Sequence, residues 1–314
     1  MNSNSPLFVI GSFVAALSMK VARLPVPGQS LLGEDLLLEA GGKGLNVAIA
    51  ARRLGALVDG IVAIGSDSFA PMAVEALAKA DLPEDMLVRF AGPSGTGVGL
   101  IDAHGENMIA VYPGANGLLS AREAKAAAAR IAAAGAVIAQ YEVGDEVITA
   151  AFAIARAAGV PTILNPSPYR PIRADILATT DMLVVNTTEA AALIAELAAP
   201  STEGSGGFAS LAHALFENGI ETLVVTLGAE GALLWRRDGT HLRQPAFPVA
   251  AVDATGCGDA FLAGLVVALA RTGDPQQALR IASACGAITC GRIGVIDALP
   301  DWTGAIALAD PPRP

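Results

Sequence analysis

The sequence predicts a single α/β domain, in which helices cover both faces of a mostly parallel central sheet and a small β-sheet stands apart. From residue 120 onward, helical patterns alternate with short apolar runs, which indicates right-handed crossovers between parallel strands. Extended runs also occupy residues 12–40, before any strong helical pattern, and residues 87–113, where two of them form a hairpin. Of the 314 residues, 53% are hydrophobic, which is enough for a large core.

The first 120 residues supply strands to both predicted sheets. Residues 7–10 are all apolar and predict a buried strand, followed by Gly11 and Ser12. A helix begins within a glycine cluster near residue 43 and ends at Gly55. The other predicted elements are strands at 31–38, 58–64, 87–90, 97–102 and 107–112 and a helix at 68–80.

The rest of the chain predicts the parallel sheet and its covering helices. Helices are expected at 121–133, 145–157, 187–197, 208–216, 259–271, 275–290 and 302–308, and strands at 136–141, 161–164, 182–185, 222–226 and 247–252. Ligands of parallel sheets bind at the carboxyl ends of the strands. The polar residues at these ends are Glu142, Asn165, Asn186, Thr226 and Asp253. We expect them to line one edge of the sheet.

A Gly-rich turn before the helix at 259–271 predicts an anion site. Gly256 and Gly258 permit close backbone approach, and the free N–H groups of a helix start attract phosphate. Asp259 would repel a resting phosphate, but it suits a base that takes a proton from a hydroxyl during phosphoryl transfer. An ordinary helix-capping turn is the alternative. Cys257 is interpreted as a small residue tolerated in the turn rather than as a nucleophile.

A second Gly-rich helix start precedes residue 45. Gly41, Gly42 and Gly44 surround Lys43, and Asn46 follows. No GK[ST] sequence is present, so this is not a P-loop. The glycines let a ligand reach the backbone beside two adaptable polar side chains. A loop with a solvated lysine is the alternative.

Charge and cysteine content restrict the partners. The net charge is −10 and no basic run exists, which argues against nucleic acid and anionic membranes. No apolar run reaches the length of a membrane span. The apolar N-terminal stretch lacks the basic start of a signal peptide and predicts a core strand. Cys257, Cys285 and Cys290 show no CxxC spacing, so we expect a cytoplasmic protein with reduced thiols.

Together these motifs resemble the ribokinase family of carbohydrate kinases, also called the PfkB family. Residues 41–48, GGKGLNVA, are similar to the first family signature, and residues 253–259, DATGCGD, resemble the second. Asn186 and Glu189 match an NxxE motif. The resemblance covers nearly all of residues 1–314. It implies a ribokinase-like three-layer sandwich with about nine central strands and a β-sheet lid from residues 12–40 and 87–113.

The resemblance also implies an ATP-dependent kinase that phosphorylates a hydroxymethyl group of a sugar or sugar-like alcohol. ATP, Mg²⁺ and K⁺ are the implied cofactors, and a homodimer through the lid is the implied assembly. For catalysis, the resemblance implies a base at Asp259 and an anion hole formed by Gly256, Cys257 and Gly258. It implies sugar contacts from Gly41, Gly42, Lys43, Asn46 and Glu142, and nucleotide contacts from Asn186, Thr226, Gly228 and Gly231. For metals, it implies that Glu189 binds Mg²⁺ through water and that a monovalent cation is held by a loop with Asp253, Thr255, Arg292 and Gly294.

The chain departs from the ribokinase pattern in its first lid segment. Val14 and Ala16 stand where ribokinases carry the Asn and Asp that bind sugar hydroxyls. We therefore expect ribose to be a poor substrate, because buried hydroxyls would go unpaired. Ala298 lies near a position where ribokinases carry a serine, so the implied potassium site would have one ligand fewer.

Three alternatives remain open. A phosphosugar kinase similar to 1-phosphofructokinases would need lid-side cations, for which Lys20, Arg23 and Arg89 are the candidates. A nucleoside kinase would use the apolar Val14 and Ala16 against a base. A catalytically silent sugar or nucleotide sensor is the third alternative, and the presence of Asp259 argues against it.

Overall fold

The structure is a computed structural model that describes residues 4–104, 106–197 and 205–310. Within these residues the strands are β1 (Leu7–Ser12), β2 (Val14–Val21), β3 (Gly33–Gly41), β4 (Val58–Ile64), β5 (Leu87–Arg89), β6 (Gly95–Ile101), β7 (Asn107–Tyr112), β8 (Ala136–Gln140), β9 (Thr162–Asn165), β10 (Met182–Asn186), β11 (Thr222–Thr226), β12 (Ala232–Arg236) and β13 (His241–Gln244).

The helices are α1 (Lys43–Arg53), α2 (Ala70–Lys79), α3 (Ala121–Ala126), α4 (Ala128–Ala132), α5 (Asp145–Ala157), α6 (Ala174–Leu177), α7 (Thr187–Glu196), α8 (Ser205–Glu217), α9 (Cys257–Thr272), α10 (Pro275–Cys290) and α11 (Trp302–Ala309). Short 3₁₀ turns complete the described elements.

A nine-stranded sheet forms the middle layer, in the order β13-β12-β11-β10-β9-β8-β1-β4-β5. The seven strands from β11 to β5 run parallel, and β12 and β13 add an antiparallel edge. β1 lies between β4 and β8, so the strand order reverses beside it. Such a switch point leaves a crevice at the carboxyl ends of the strands, where ligands bind.

Two hydrophobic cores lie on opposite faces of this sheet. In β1 the side chains alternate, with Val9 in one core and Phe8 and Ile10 in the other. The first core packs α1, α2, α9, α10 and α11 against the sheet, and the second packs α3 to α8 against it. The predicted three-layer α/β fold is therefore confirmed.

Four strands form a separate small sheet in the order β3-β2-β6-β7. β2 and β6 pair in parallel, and the other two pairs are antiparallel. The expected lid range 87–113 also included β5, but β5 pairs with β4 in the central sheet. The small sheet exposes apolar side chains on both faces, among them Leu36, Leu37, Leu38, Val98, Met108, Ile109 and Val111.

The strand predicted at 247–252 is wrong. That segment follows β13 and carries no strand in the described part of the chain, and the strands before the Gly-rich turn are β12 and β13. Pro245 and Pro248 explain the difference, because proline has no N–H group to donate to a sheet ladder. Asp253 consequently follows an irregular segment rather than the end of a strand.

Candidate active site

The N-terminus of α9 forms an open turn. Gly256 precedes the helix with φ 76°, a left-handed conformation that favours glycine. A Cβ atom at Gly258 would meet nothing within 4 Å, so this face of the first turn is open. The Ala260 N–H donates to the Gly256 carbonyl at 2.9 Å. The Cys257 N–H, a predicted anion-hole donor, donates to the Ala254 carbonyl over a long 3.3 Å in this structure.

Asp259 lies in the first turn of α9 and is almost fully buried, with 4% of its surface exposed. The Asn46 Nδ2 donates to Asp259 Oδ2 at 2.8 Å, and the Lys43 Nζ lies 3.9 Å from Asp259 Oδ1. Asn46 and Lys43 belong to α1, which packs against α9. The two Gly-rich helix starts therefore meet at one carboxylate.

Glu142 anchors the other side of the pocket. Its Oε2 accepts hydrogen bonds from the Ser12 hydroxyl at 2.5 Å and from the Lys43 N–H at 2.8 Å. The Ser12 Oγ also accepts from the Gly44 N–H at 3.3 Å. Sequence reasoning did not select Ser12, although its place at the end of the first strand was a usable signal. The switch point of the sheet thus carries a connected polar cluster.

Glycine is required where α1 begins. Gly42 has φ 105°, and a Cβ atom there would lie 2.7 Å from the Ser12 carbonyl oxygen. Gly44 leaves even less room, because its Cβ atom would lie 2.1 Å from the Gly11 Cα. Gly41 ends β3 and is buried. The glycine cluster therefore brings the start of α1 against the end of β1.

Lys43 and the carboxylates of this cluster affect one another's pKa values. The Asp259 carboxylate raises the pKa of Lys43, and Glu142 and Glu189 act in the same direction. Burial raises the pKa of the Glu142 carboxyl, against hydrogen bonds from Ser12 and Lys43 that lower it. Lys43 therefore keeps its positive charge among three carboxylates.

Asn186 and Glu189 form a capping box at the start of α7. The Glu189 N–H donates to Asn186 Oδ1, and the Asn186 N–H donates to Glu189 Oε2, both at 2.9 Å. The NxxE spacing therefore has a structural explanation, since the pair satisfies two free helix donors. Glu189 is buried at 5% exposure, and its charge contributes to the raised pKa of Lys43.

Within the described residues, no three His, Cys, Asp or Glu side chains are grouped to hold a metal ion. Mg²⁺ often binds through one or two carboxylates, waters and substrate phosphates rather than in an all-protein cage. The buried Glu189, a single carboxylate at the start of α7, fits that mode of binding.

The predicted nucleotide residues gather at the ends of β10 and β11. Asn186 and Thr226 are paired in register across these strands. Gly228 has φ 57° with open space around it, whereas Gly231 has φ 102° and approaches the backbone at Gln244. A Cβ atom at Gly231 would lie 1.9 Å from the Gln244 carbonyl oxygen, so Gly231 is needed for the turn itself.

The predicted cation loop comes together around the end of α10. The Thr255 N–H donates to Asp253 Oδ1 at 2.9 Å, and the Asp253 N–H donates to the Cys290 carbonyl at 3.2 Å. The Arg292 N–H donates to the Thr289 carbonyl at 3.1 Å. Gly294 follows with φ 88°. The structure places this loop against the turn before α9.

Cys257 is not an activated thiol. Burial raises its pKa to about 12, and the neighbouring Cys290 contributes in the same direction. A nucleophilic cysteine needs a lowered pKa. The interpretation of Cys257 as a small turn residue therefore agrees with its surroundings.

The small sheet places Glu39 on the face that carries Val14 and Ala16. Val14 is buried and pairs with Gly41, and Ala16 pairs with Glu39 across β2 and β3. A Cβ atom at Gly97 would touch Val14 Cγ1 at 3.4 Å. Sequence reasoning did not identify Glu39, because its position depends on strand pairing.

The comparisons with known proteins agree with this arrangement. The pfkB family of carbohydrate kinases matches residues 5–302. A ribokinase of Haemophilus influenzae is 32% identical over 296 residues, which cover 94% of this chain and 95% of the relative. A deoxyribokinase of Salmonella typhi is 28% identical, covering 87% of this chain and 88% of the relative. The structure of Arabidopsis thaliana ribokinase complexed with ribose and ATP superposes with a TM-score of 0.88 at 27% identity, covering 99% of both chains.

An open helix start, a buried carboxylate beside it and a polar pocket at the switch point define, with these comparisons, an ATP-dependent carbohydrate kinase. The chain belongs to the pfkB family of carbohydrate kinases. The family that the two signatures predicted is therefore confirmed.

Proposed function

We propose that this kinase transfers the γ-phosphoryl group of ATP to a hydroxymethyl group, with Asp259 as the base. The observation that carries the proposal is the position of Asp259. It is buried, held by Asn46 and Lys43, and adjacent to the open turn at Gly258. A fixed carboxylate in that place can accept the hydroxyl proton as the oxygen attacks phosphorus.

The turn before α9 stabilises charge on the transferred group. In this proposal the amides of Gly256, Cys257 and Gly258 form the anion hole at the positive end of the helix dipole. The bond from the Cys257 N–H to Ala254 is long, so a phosphoryl oxygen can compete for that donor. Lys43 supplies a positive charge on the opposite side of the site.

Nucleotide and metal contacts are assigned to the adjoining strand ends. Asn186, Thr226, Gly228 and Gly231 contact the nucleotide, and Glu189 orders Mg²⁺ through water. When bound, Mg²⁺ supplies charge neutralisation on the phosphates. The nucleotide assignment is supported by the position of Asn186 and Thr226, which are paired in register at the ends of β10 and β11. A monovalent cation, K⁺ in this proposal, is assigned to the loop of Asp253, Thr255, Arg292 and Gly294.

The acceptor is assigned to Gly41, Gly42, Lys43, Asn46 and Glu142. The far end of that pocket is formed by Val14 and Ala16, which offer no hydroxyl partner. We therefore propose an acceptor with fewer hydroxyls than ribose, or one substituted differently. The name of the Salmonella typhi relative, deoxyribokinase, is consistent with a family member acting on such a sugar.

Phosphosugars and nucleosides, two of the alternative acceptors, are not equally well supported. Phosphosugars have weaker support, because two of the three candidate cations are engaged: the Arg89 guanidinium pairs with Glu84 and the Arg23 guanidinium donates to Gln29 at 2.7 Å, which leaves Lys20. Nucleosides remain a second candidate, since the apolar face around Val14 suits a flat base.

The small sheet acts as a lid over the acceptor in this proposal, and its exposed apolar side chains support a homodimer formed through it. No helix among the described residues has the length and apolar character needed to cross a membrane. We assign the enzyme to the cytoplasm and expect no nucleic-acid or membrane partner.

A panel assay tests the proposal. ADP release is measured with ATP and Mg²⁺ against sugars, deoxysugars, polyols, phosphosugars and nucleosides. We expect one acceptor class to stand well above the rate without acceptor, and ribose to be weak. Nucleotide binding with no acceptor-dependent ADP release across the panel would instead support the sensor.

A further inference from the structure

Glu39 lies on the face of the small sheet that carries Val14 and Ala16. It pairs directly with Ala16 across the antiparallel strands β2 and β3. Such cross-strand partners share a face, with Cβ atoms about 5 Å apart. A Cβ atom at Gly41, two residues on, would lie 3.8 Å from the Ala16 Cβ, which places both strands' side chains on this face.

The Glu39 carboxylate leaves the sheet and reaches the loop after α10. Its Oε1 lies 3.0 Å from the position that a Cβ atom would occupy at Gly294. The Val295 backbone also faces this carboxylate and lowers its pKa. A strand of the small sheet is thus joined to a loop that follows it by more than 250 residues in the sequence.

Val295 carries this contact onward to the turn before α9. The position of a Cβ atom at Gly256 lies 3.0 Å from Val295 Cγ1. These contacts form a continuous path: the Glu39 carboxylate lies against the backbone at Gly294 and Val295, Val295 packs beside Gly256, and Gly256 belongs to the Gly-rich turn before α9. This path runs through residues other than Glu142 and Asn46, which belong to the pocket.

The charge at Glu39 is isolated from cationic partners. Burial raises the pKa of its carboxyl, and Asp297 and Asp253 add to the shift, against the Val295 backbone, which lowers it. No Lys, Arg or His within the described part of the chain forms a salt bridge with it.

We propose that Glu39 is a positioning residue that holds the Gly-rich turn before α9 in place relative to the small sheet. Its contact with the backbone at 294–295 fixes that loop, and Val295 supports the left-handed Gly256 that orients the turn. The inference rests on the proposed function of that turn. It adds to the site a residue from β3 of the small sheet. Because Glu39 acts through Val295, its loss lowers turnover rather than acceptor binding.

Steady-state kinetics of two variants test the proposal. We expect Glu39→Ala to lower kcat about tenfold, the worth of one hydrogen bond to a charged group, with the acceptor KM within about twofold of wild type. Glu39→Gln keeps an oxygen that can face the Val295 backbone and should retain most of kcat. The matched control is Asp35→Ala, which removes an exposed carboxylate from the same strand and face and should leave both constants unchanged.

A second measurement does not depend on turnover. Amide hydrogen exchange in Glu39→Ala should be faster at residues 254–260 as well as at 292–296, and near wild type in Glu39→Gln. Faster exchange confined to 292–296 would overturn the path to Gly256. A raised acceptor KM with unchanged kcat would also overturn the inference and make Glu39 an acceptor contact. A fully active Asp259→Asn, in contrast, would refute the proposed base and leave the exchange result standing.

Discussion

At the residue scale, the site depends on one buried carboxylate whose two oxygens are held by different side chains. Asn46 fixes Oδ2 of Asp259, and Lys43 lies near Oδ1. Both partners come from α1, so the base is oriented by an element that also binds the acceptor in the proposed function. The remaining acidic groups, Glu142 and Glu189, surround Lys43 and keep it charged.

We expect Asp259→Asn to keep nucleotide binding and to lower kcat by about a hundredfold or more, the usual worth of a positioned base. The amide preserves the volume of the side chain but cannot accept the hydroxyl proton. Turnover with the best acceptor of the panel and ADP affinity by calorimetry measure the two effects. Near-normal turnover would remove Asp259 from the role of base.

Glu189→Gln should raise the Mg²⁺ concentration needed for half-maximal rate. Glutamine still completes the capping box with Asn186, so the change removes charge while α7 stays capped. The chain provides a matched control in Glu123→Gln, because Glu123 forms the equivalent box with Ser120 on α3. Magnesium titrations that shift equally in both variants, or in neither, would contradict a metal role for Glu189.

Glu142 should make stability depend on pH. Its folded pKa is raised above the ordinary 4.5 by burial, so the folded state holds the proton more tightly than the unfolded chain. The contribution is present below the ordinary pKa and is lost as pH rises through the folded one. Relative to Glu142→Gln, the wild-type Tm should therefore fall as pH rises above about 4.5. Glu217→Gln, an exposed change, should leave that slope intact.

At the element scale, α1 and α9 both begin at glycines and meet at their N-termini. The glycines at the two starts have different physical reasons. Gly42 and Gly44 allow the backbone of α1 to approach β1, and a side chain at either would collide with it. Gly258 has free space around it, so the protein itself does not require glycine there. Because Gly258 has no side chain, room is left there for a ligand.

Gly258→Ala should therefore separate stability from activity. Alanine in a helix is favoured over glycine by about 0.5–1 kcal/mol, so we expect an unchanged or higher Tm. The methyl group would occupy the approach to the Gly-rich turn before α9, so kcat/KM should fall about tenfold or more, as when one donor to the transferred group is lost. Thermal unfolding and kinetics on the same sample measure both effects. A loss of Tm together with activity would mean that Gly258 serves the fold instead.

At the scale of the whole molecule, the proposed function assigns acceptor selection and phosphoryl transfer to different sheets. The central sheet and its helices hold Asp259, Glu142 and Glu189, whereas the small sheet supplies Val14 and Ala16. The reacting end of the pocket can therefore resemble that of the ribokinase relatives while the far end differs. Acceptor preference should respond to changes in the small sheet alone.

The double variant Val14→Asn, Ala16→Asp should improve kcat/KM for ribose by about 10- to 1,000-fold, if the sugar hydroxyls gain partners. The carboxylate introduced at position 16 would face Glu39 across the strands, and like charges in that position are destabilising, so Tm should fall slightly. Wild-type enzyme that phosphorylates ribose as well as any other acceptor would refute the argument from the small sheet.

The sequence predicted those parts of the fold that local patterns determine. The alternation of apolar strands and helices after residue 120 located β8 to β11, and the two glycine clusters located the starts of α1 and α9. The prediction failed at 247–252, where an apolar run contains prolines that cannot join a ladder. Ser12 and Glu39 were missed because their partners, Glu142 and Val295, are distant in sequence, and no local pattern records such pairings.

The contact between Asn46 and Asp259 joins positions 213 residues apart. During synthesis, the glycines at the start of α1 and Lys43 are made long before the segment that carries Asp259. A prematurely terminated chain that stops before residue 259 therefore lacks the carboxylate and the complete turn beside it. In the proposed function, such a fragment could not transfer a phosphoryl group at this site.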